Sequence, residues 1–99
     1  MTNSYDRGDL VHLTATFLAN GFPTDPSGIV FKTKSPSRVV TSYVYGIAGQ
    51  LVRDSTGVYH IDLRPTEVGK WQYRWEASGA AESAESGRFY VRRLNISND

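Results

Sequence analysis

Residues Arg53 to Glu76 decide the fold: Arg-Asp-Ser-Thr-Gly-Val-Tyr-His-Ile-Asp-Leu-Arg-Pro-Thr-Glu-Val-Gly-Lys-Trp-Gln-Tyr-Arg-Trp-Glu. Tyr59, Ile61 and Leu63 alternate with Val58, His60 and Asp62. After a polar turn, Trp71, Tyr73 and Trp75 alternate with Lys70, Gln72, Arg74 and Glu76. Successive side chains of a strand point to opposite faces, so each run predicts a β-strand with one buried side. Pro65 and Gly69 bracket the turn, one with a fixed φ and the other with a permissive one. The three aromatics carry more apolar area than any other segment. The alternation predicts a core centred on Tyr59, Ile61, Trp71 and Tyr73, with Leu13, Phe17, Phe31 and Phe89 around them. For Trp75, near the end of its run, core packing and an exposed face that stacks a sugar or a base stand as alternatives.

Upstream, Val11, Leu13, Ala15 and Phe17 share one face of a strand, with His12, Thr14 and Thr16 on the other. Asn20-Gly21 marks a turn. The loop Phe22 to Gly28 is pinned by Pro23 and Pro26, and Phe22 is expected to fold back as a plug on the core. Ile29 to Lys34 is the next strand, turned by Ser35-Pro36-Ser37. Val39 to Tyr45 follows, rich in β-branched and aromatic residues. Its phase is open between Val39, Thr41, Tyr43, Tyr45 and Val40, Ser42, Val44. Gln50 to Arg53 predicts a short strand leading into the central hairpin. Ala77 to Gly87, small and acidic, reads as a turn and a weak edge segment, and Arg88 to Arg92 closes the domain. Residues 1–8 and 94–99 are expected to be a loosely ordered lead-in and tail. About seven short strands with turn signals between them describe one all-β domain, an antiparallel β-sandwich spanning residues 1–99.

Composition narrows the function. The 99 residues carry a formal net charge of +1, too little for a field that draws in nucleic acid or an anionic membrane. Cysteine is absent, which removes disulfides, thiolate catalysis and thiolate-bound zinc. No apolar run approaches the ~20 residues that cross a bilayer, and the first residues do not read as a secretory signal. A product made to stay or to assemble in the cytoplasm is therefore expected. Without a secretory signal, the sequon Asn95-Ile96-Ser97 carries no weight. Arg7-Gly8-Asp9 reads as the lead into a strand rather than an adhesion motif.

His12 and His60 fall at outward phases with no fixed spacing and no cysteine nearby, so they read as surface histidines rather than metal ligands. Carboxylates such as Asp54, Asp62, Glu67 and Glu85 are scattered, and no phosphate loop, nucleophile elbow or zinc helix is present. The expectation is a protein with no catalytic residues, no cofactor and no metal. The basic set Lys32, Lys34, Arg38, Arg74, Arg88, Arg92 and Arg93 is offset by acids and reads as a solvated or protein-facing surface.

Asp54-Ser55-Thr56-Gly57-Val58-Tyr59 resembles the tyrosine corner of immunoglobulin-like domains, where the hydroxyl bonds back to an upstream backbone group. Ile61 stands where the disulfide-bonded family has cysteine, so the likeness is one of architecture. The whole chain resembles the small immunoglobulin-like proteins encoded among head and tail genes of tailed bacteriophages and prophages. The segments that carry this are Tyr5 to Asp9 with Leu13 to Phe17, Asp54 to Tyr59, Pro65-Thr66, Gly69 to Glu76, and Gly87 to Phe89. The resemblance implies a non-enzymatic virion structural protein, assembled in the host cytoplasm. Within that class it is more similar to a capsid decoration or cement protein than to a head–tail or tail component. Its partners would be other virion proteins, the major capsid protein first, with a small homo-oligomer compatible and with neither nucleic acid nor membrane. The rival class is a carbohydrate- or adhesion-binding module. Candidate contact residues are Tyr43 and Tyr45 on an edge strand, and Phe22, Pro23 and Pro26 on a proline-pinned loop.

Overall fold

The computed structural model describes residues 3–81 and 83–93, and the predicted tail with its sequon lies outside them. Ten strands follow in order: β1 (Asn3–Asp6), β2 (Val11–Thr16), β3 (Leu18–Ala19), β4 (Phe22–Pro23), β5 (Gly28–Lys34), β6 (Val40–Val44), β7 (Leu51–Ser55), β8 (Val58–Leu63), β9 (Gly69–Ser78) and β10 (Ser83–Arg92). One sheet has the order β1-β10-β9-β5-β6 and the other β2-β8-β7, with β3 and β4 forming a minimal hairpin. All pairings are antiparallel except β1 on β10. Three antiparallel strands facing a larger sheet, with the first strand crossing over to pair with the last, make an immunoglobulin-like sandwich.

The alternation in the sequence becomes the inner faces of the two sheets. Val11, Leu13 and Ala15 on β2 and Tyr59, Ile61 and Leu63 on β8 are buried, facing Ile29 and Phe31 on β5 and Phe89 and Val91 on β10. Both sides of this core are rich in β-branched and aromatic residues, which fill a half-buried pleated surface, with Leu13, Ala15 and Leu63 between them. Its centre is shifted from the expected one. Trp75 is only 2% exposed, whereas Trp71 and Tyr73 are partly buried and pack against the rim. The register explains the shift. Trp75 sits opposite Phe31 on β5, with ring centroids 4.7 Å apart, and Phe17 closes over it at 6.1 Å. Tyr73 stacks on Phe31 at 5.7 Å and Trp71 on Phe89 at 5.9 Å, nearer the open margin of the sandwich.

Two further expectations are corrected. The lead-in contains β1, which pairs in parallel with β10 from Asn3↔Phe89 to Asp6↔Arg92. The small acidic run holds the turn and the edge segment read from it: Ala77-Ser78 ends β9, and Ser83 to Gly87 begin β10, paired with β9 on one side and not covered by β1, which starts opposite Phe89. Ladder pairing overrides poor strand propensity there. Gly87 also has a packing reason, since a Cβ at this position would stand 2.4 Å from the Tyr73 ring lying across it.

Finally, the corner is elsewhere. Tyr59 lies on β8, just after the tight turn at Thr56-Gly57, and its hydroxyl donates to the Asp25 carboxylate at 3.0 Å rather than to the backbone. The connection from β8 into β9 is instead closed by Trp71, whose indole Nε1 donates to the Glu67 carbonyl oxygen at 2.9 Å. Trp71 does at this corner what the tyrosine hydroxyl does in the standard version.

Candidate functional site

Two surfaces and two polar clusters stand out from this frame. The first surface is the edge strand β6. It pairs with β5 from Val30↔Val44 to Lys34↔Val40, so one row of its backbone groups lacks a sheet partner. Edge strands are ordinarily blunted by charge, proline or a bulge. Val40-Thr41-Ser42-Tyr43-Val44 has none of these. Val40 is 60% exposed and Val44 40% exposed, and Val39 and Ile47 are exposed just outside the two ends of the strand. The open phase is thereby resolved, with Tyr43 tilting against Phe31 and Tyr45 packing edge-on against Tyr59 at 5.2 Å. Val40 and Val44 face outward, Tyr43 is half-buried, and Tyr45 touches Tyr59 while staying 41% exposed. The two-residue spacing was visible in the sequence, but two competing phases hid which set lay outside.

The second surface is the loop end. Asn20 and Gly21 both take positive φ, the geometry of a type I′ turn, and this closes the β3–β4 hairpin. Phe22 does not plug the core. It is 72% exposed, with Leu18 exposed on the partner strand and Pro23 exposed beside it, while Pro26 is half-buried.

The loop is held by a carboxylate that sequence reading passed over. Asp25 Oδ1 accepts from the Gly57 N–H at 2.8 Å and the Tyr59 hydroxyl at 3.0 Å, and Oδ2 accepts from Arg53 Nη2 at 3.1 Å. The Arg53 guanidinium and the Gly57 amide hold the Asp25 carboxyl down at about 2, while burial and the neighbouring carboxylate raise the Tyr59 hydroxyl. Gly57 is required here, because its φ is +75° and a Cβ would meet the Thr24 nitrogen at 2.6 Å. Only contacts spanning 28–34 residues reveal this hub, which no local motif signals.

The outer face of the large sheet gathers the basic set. Lys32 and Arg74 share Glu76 at 3.2 and 3.0 Å, and Arg92 meets Asp6 at 3.2 Å. Lys34, Arg38 and Lys70 surround an open cavity of about 630 Å³ near the start of β6. The net charge of +1 conceals this separation, because the outer face of the small sheet carries the histidines and aspartates. There, β2–β8 pairing sets His12 opposite Asp62 and Thr14 opposite His60. The two imidazoles lie with centroids 4.6 Å apart. His12 Nδ1 is 2.6 Å from Asp62 Oδ1, His60 Nδ1 is 2.7 Å from Asp54 Oδ1, and His60 Nε2 is 3.5 Å from Asp62 Oδ2. A bulge between Arg53 and Ser55 aims Asp54 at His60. The residues read singly as surface histidines form one cluster.

Among known proteins, no family model and no curated protein matches this chain. Solved structures do. The chain is similar to part of a putative glycoside hydrolase from Bacteroides vulgatus, with a TM-score of 0.66 and 18% identity over 98% of this chain. It spans 17% of the length of that protein. It also aligns with the V domain of amphioxus IgVJ-C2 at a TM-score of 0.46 and 15% identity, covering 93% of this chain and 99% of that one. At such identities the likeness is one of fold alone.

Proposed function

We propose that this chain is a non-enzymatic structural protein of a phage particle, a decoration or cement protein that docks on the capsid lattice through the β6 edge. The observation that carries the docking surface is the undefended strand Val40–Val44, with its apolar row facing solvent. An open edge with exposed valines suits strand addition, in which backbone hydrogen bonds supply affinity and alternate side chains supply specificity. Lys34 and Arg38 beside this edge favour a partner segment carrying acidic as well as apolar side chains. The choice of a virion as the setting rests on the resemblance of the Asp54–Tyr59 and Gly69–Glu76 segments to phage head and tail immunoglobulin-like proteins. A head–tail or tail position is the neighbouring alternative.

Mass spectrometry of gradient-purified particles tests the setting. The expected result is this chain in stoichiometric proportion to the major capsid protein. Its absence from particles that contain the capsid and portal proteins overturns the virion reading.

The second reading, a carbohydrate- or adhesion-binding module, is favoured by the fold shared with a segment of a putative glycoside hydrolase. A glycan array separates the two, since specific glycan retention by the purified domain supports the module and its absence supports docking on protein.

A further inference from the structure

We infer that His12, His60 and Asp62 form a binding site for a divalent transition metal of the zinc class on the outer face of the small sheet, with Asp54 as the group that orients His60. One ligating atom from each of the three lies within 4.8 Å of the others. The geometry is that of a partly assembled site. Zinc–nitrogen and zinc–oxygen bonds of about 2.0–2.2 Å at tetrahedral angles separate two ligand atoms by roughly 3.3–3.5 Å. His60 Nε2 and Asp62 Oδ2 stand 3.5 Å apart.

The hydrogen bonds point the same way. Asp54 accepts from His60 Nδ1 at 2.7 and 2.9 Å, which places the imidazole proton on Nδ1. In the neutral ring, Nε2 then carries a bare lone pair turned toward the Asp62 carboxylate, and two acceptors face each other across 3.5 Å. That arrangement calls for a cation between them. A carboxylate on the far nitrogen of a ligating histidine is also the usual way in which proteins fix the ring and raise its basicity. The four side chains come from β2, β7 and β8, so the sheet itself holds the site. His60 is the least exposed of them, and His12, more than half exposed, stands with Nδ1 2.6 Å from Asp62 Oδ1, a hydrogen bond that metal binding would replace. Two imidazoles and one carboxylate select borderline metals over magnesium or calcium, which prefer all-oxygen shells. Three protein ligands leave a fourth position for water or for a side chain of a docked neighbour.

The test is calorimetric titration of tag-free protein with zinc chloride near pH 7.5, in excess magnesium, with the histidine ring resonances followed by NMR. The expected result is saturable 1:1 binding that shifts the His12 and His60 resonances together. His60→Ala and His12→Ala should each weaken it at least tenfold, and Asp54→Asn roughly 10- to 100-fold. These positions lie on the outer face, and circular dichroism melts verify that each variant is folded. The NMR titration of the unaltered chain needs no variant. Lack of saturable binding up to millimolar zinc, or undiminished affinity in His60→Ala, overturns the site.

Discussion

The indole Nε1 of Trp71 donates to the carbonyl oxygen of Glu67, four residues earlier, at 2.9 Å. This bond ties the entry of β9 to the connection from β8 and so sets the crossing from one sheet to the other. Trp71→Phe keeps an aromatic ring against Phe89 but removes the donor. The expected loss is about 1–2 kcal/mol, combining the hydrogen bond with a smaller ring. Denaturant melts check it, and an unchanged midpoint would mean that water replaces the indole without cost.

Trp75 sits at the centre of the core and Trp71 at its margin. Trp75→Ala should therefore cost about 3–5 kcal/mol, a large share of the stability of a domain this size, and clearly more than Trp71→Ala. Equal losses in parallel urea melts would contradict the packing described here.

Tyr59→Phe retains the buried ring and deletes the hydroxyl that bonds Asp25. A decrease of about 1 kcal/mol is expected. Because the same hydroxyl helps to hold the Phe22 to Gly28 loop, amide exchange at Thr24 should quicken in this variant.

Asp25 gives a pH signature. Its carboxyl is lowered from the ordinary 3.8 to about 2 by Arg53 and the Gly57 amide. A depressed folded-state value stabilises the fold above the unfolded-state value, and that contribution fades as pH falls toward 2. Asp25→Asn should flatten this part of the acid limb of a stability–pH curve, measured by melts from pH 5 to pH 2. The limb should keep its slope only if other carboxylates dominate it.

For the β6 edge, Val40→Lys with Val44→Lys places charge on an outward row without touching the core. The fold should be retained and incorporation into particles should fall at least tenfold. Replacing Tyr43 and Tyr45 would be a poorer experiment, since both rings also touch core aromatics, Tyr43 on Phe31 and the exposed Tyr45 on Tyr59. Full incorporation of the lysine variant would move the contact to another surface.

Much of the fold was legible wherever alternation met a single buried face, as in Val11 to Phe17 and Val58 to Leu63. Period two states which residues share a face but not how far along a strand the opposing sheet reaches. That is why Trp71 and Trp75 exchanged roles. Ser83 to Gly87 were legible only as a weak edge, and their length as a strand was not, since it is imposed by β9 rather than by their own propensity. The sites were less legible still. His12 and His60 were each placed on the correct face, yet their meeting depends on a β2–β8 register spanning 48 to 50 residues. Asp25 becomes a hub only when the loop folds over the Gly57 turn.

The parallel clasp of β1 on β10 also determines how the domain bears load. Tension applied through the two ends of the described chain would drag β1 and β10 in opposite directions along their common axis. Their backbone hydrogen bonds, the Arg7 amide to the Arg92 carbonyl at 2.9 Å among them, would then be strained together rather than opened singly. Such a shear geometry resists pulling far better than a hairpin unzipped from one end. The first and last strands thus act as a mechanical latch across the rest of the sandwich.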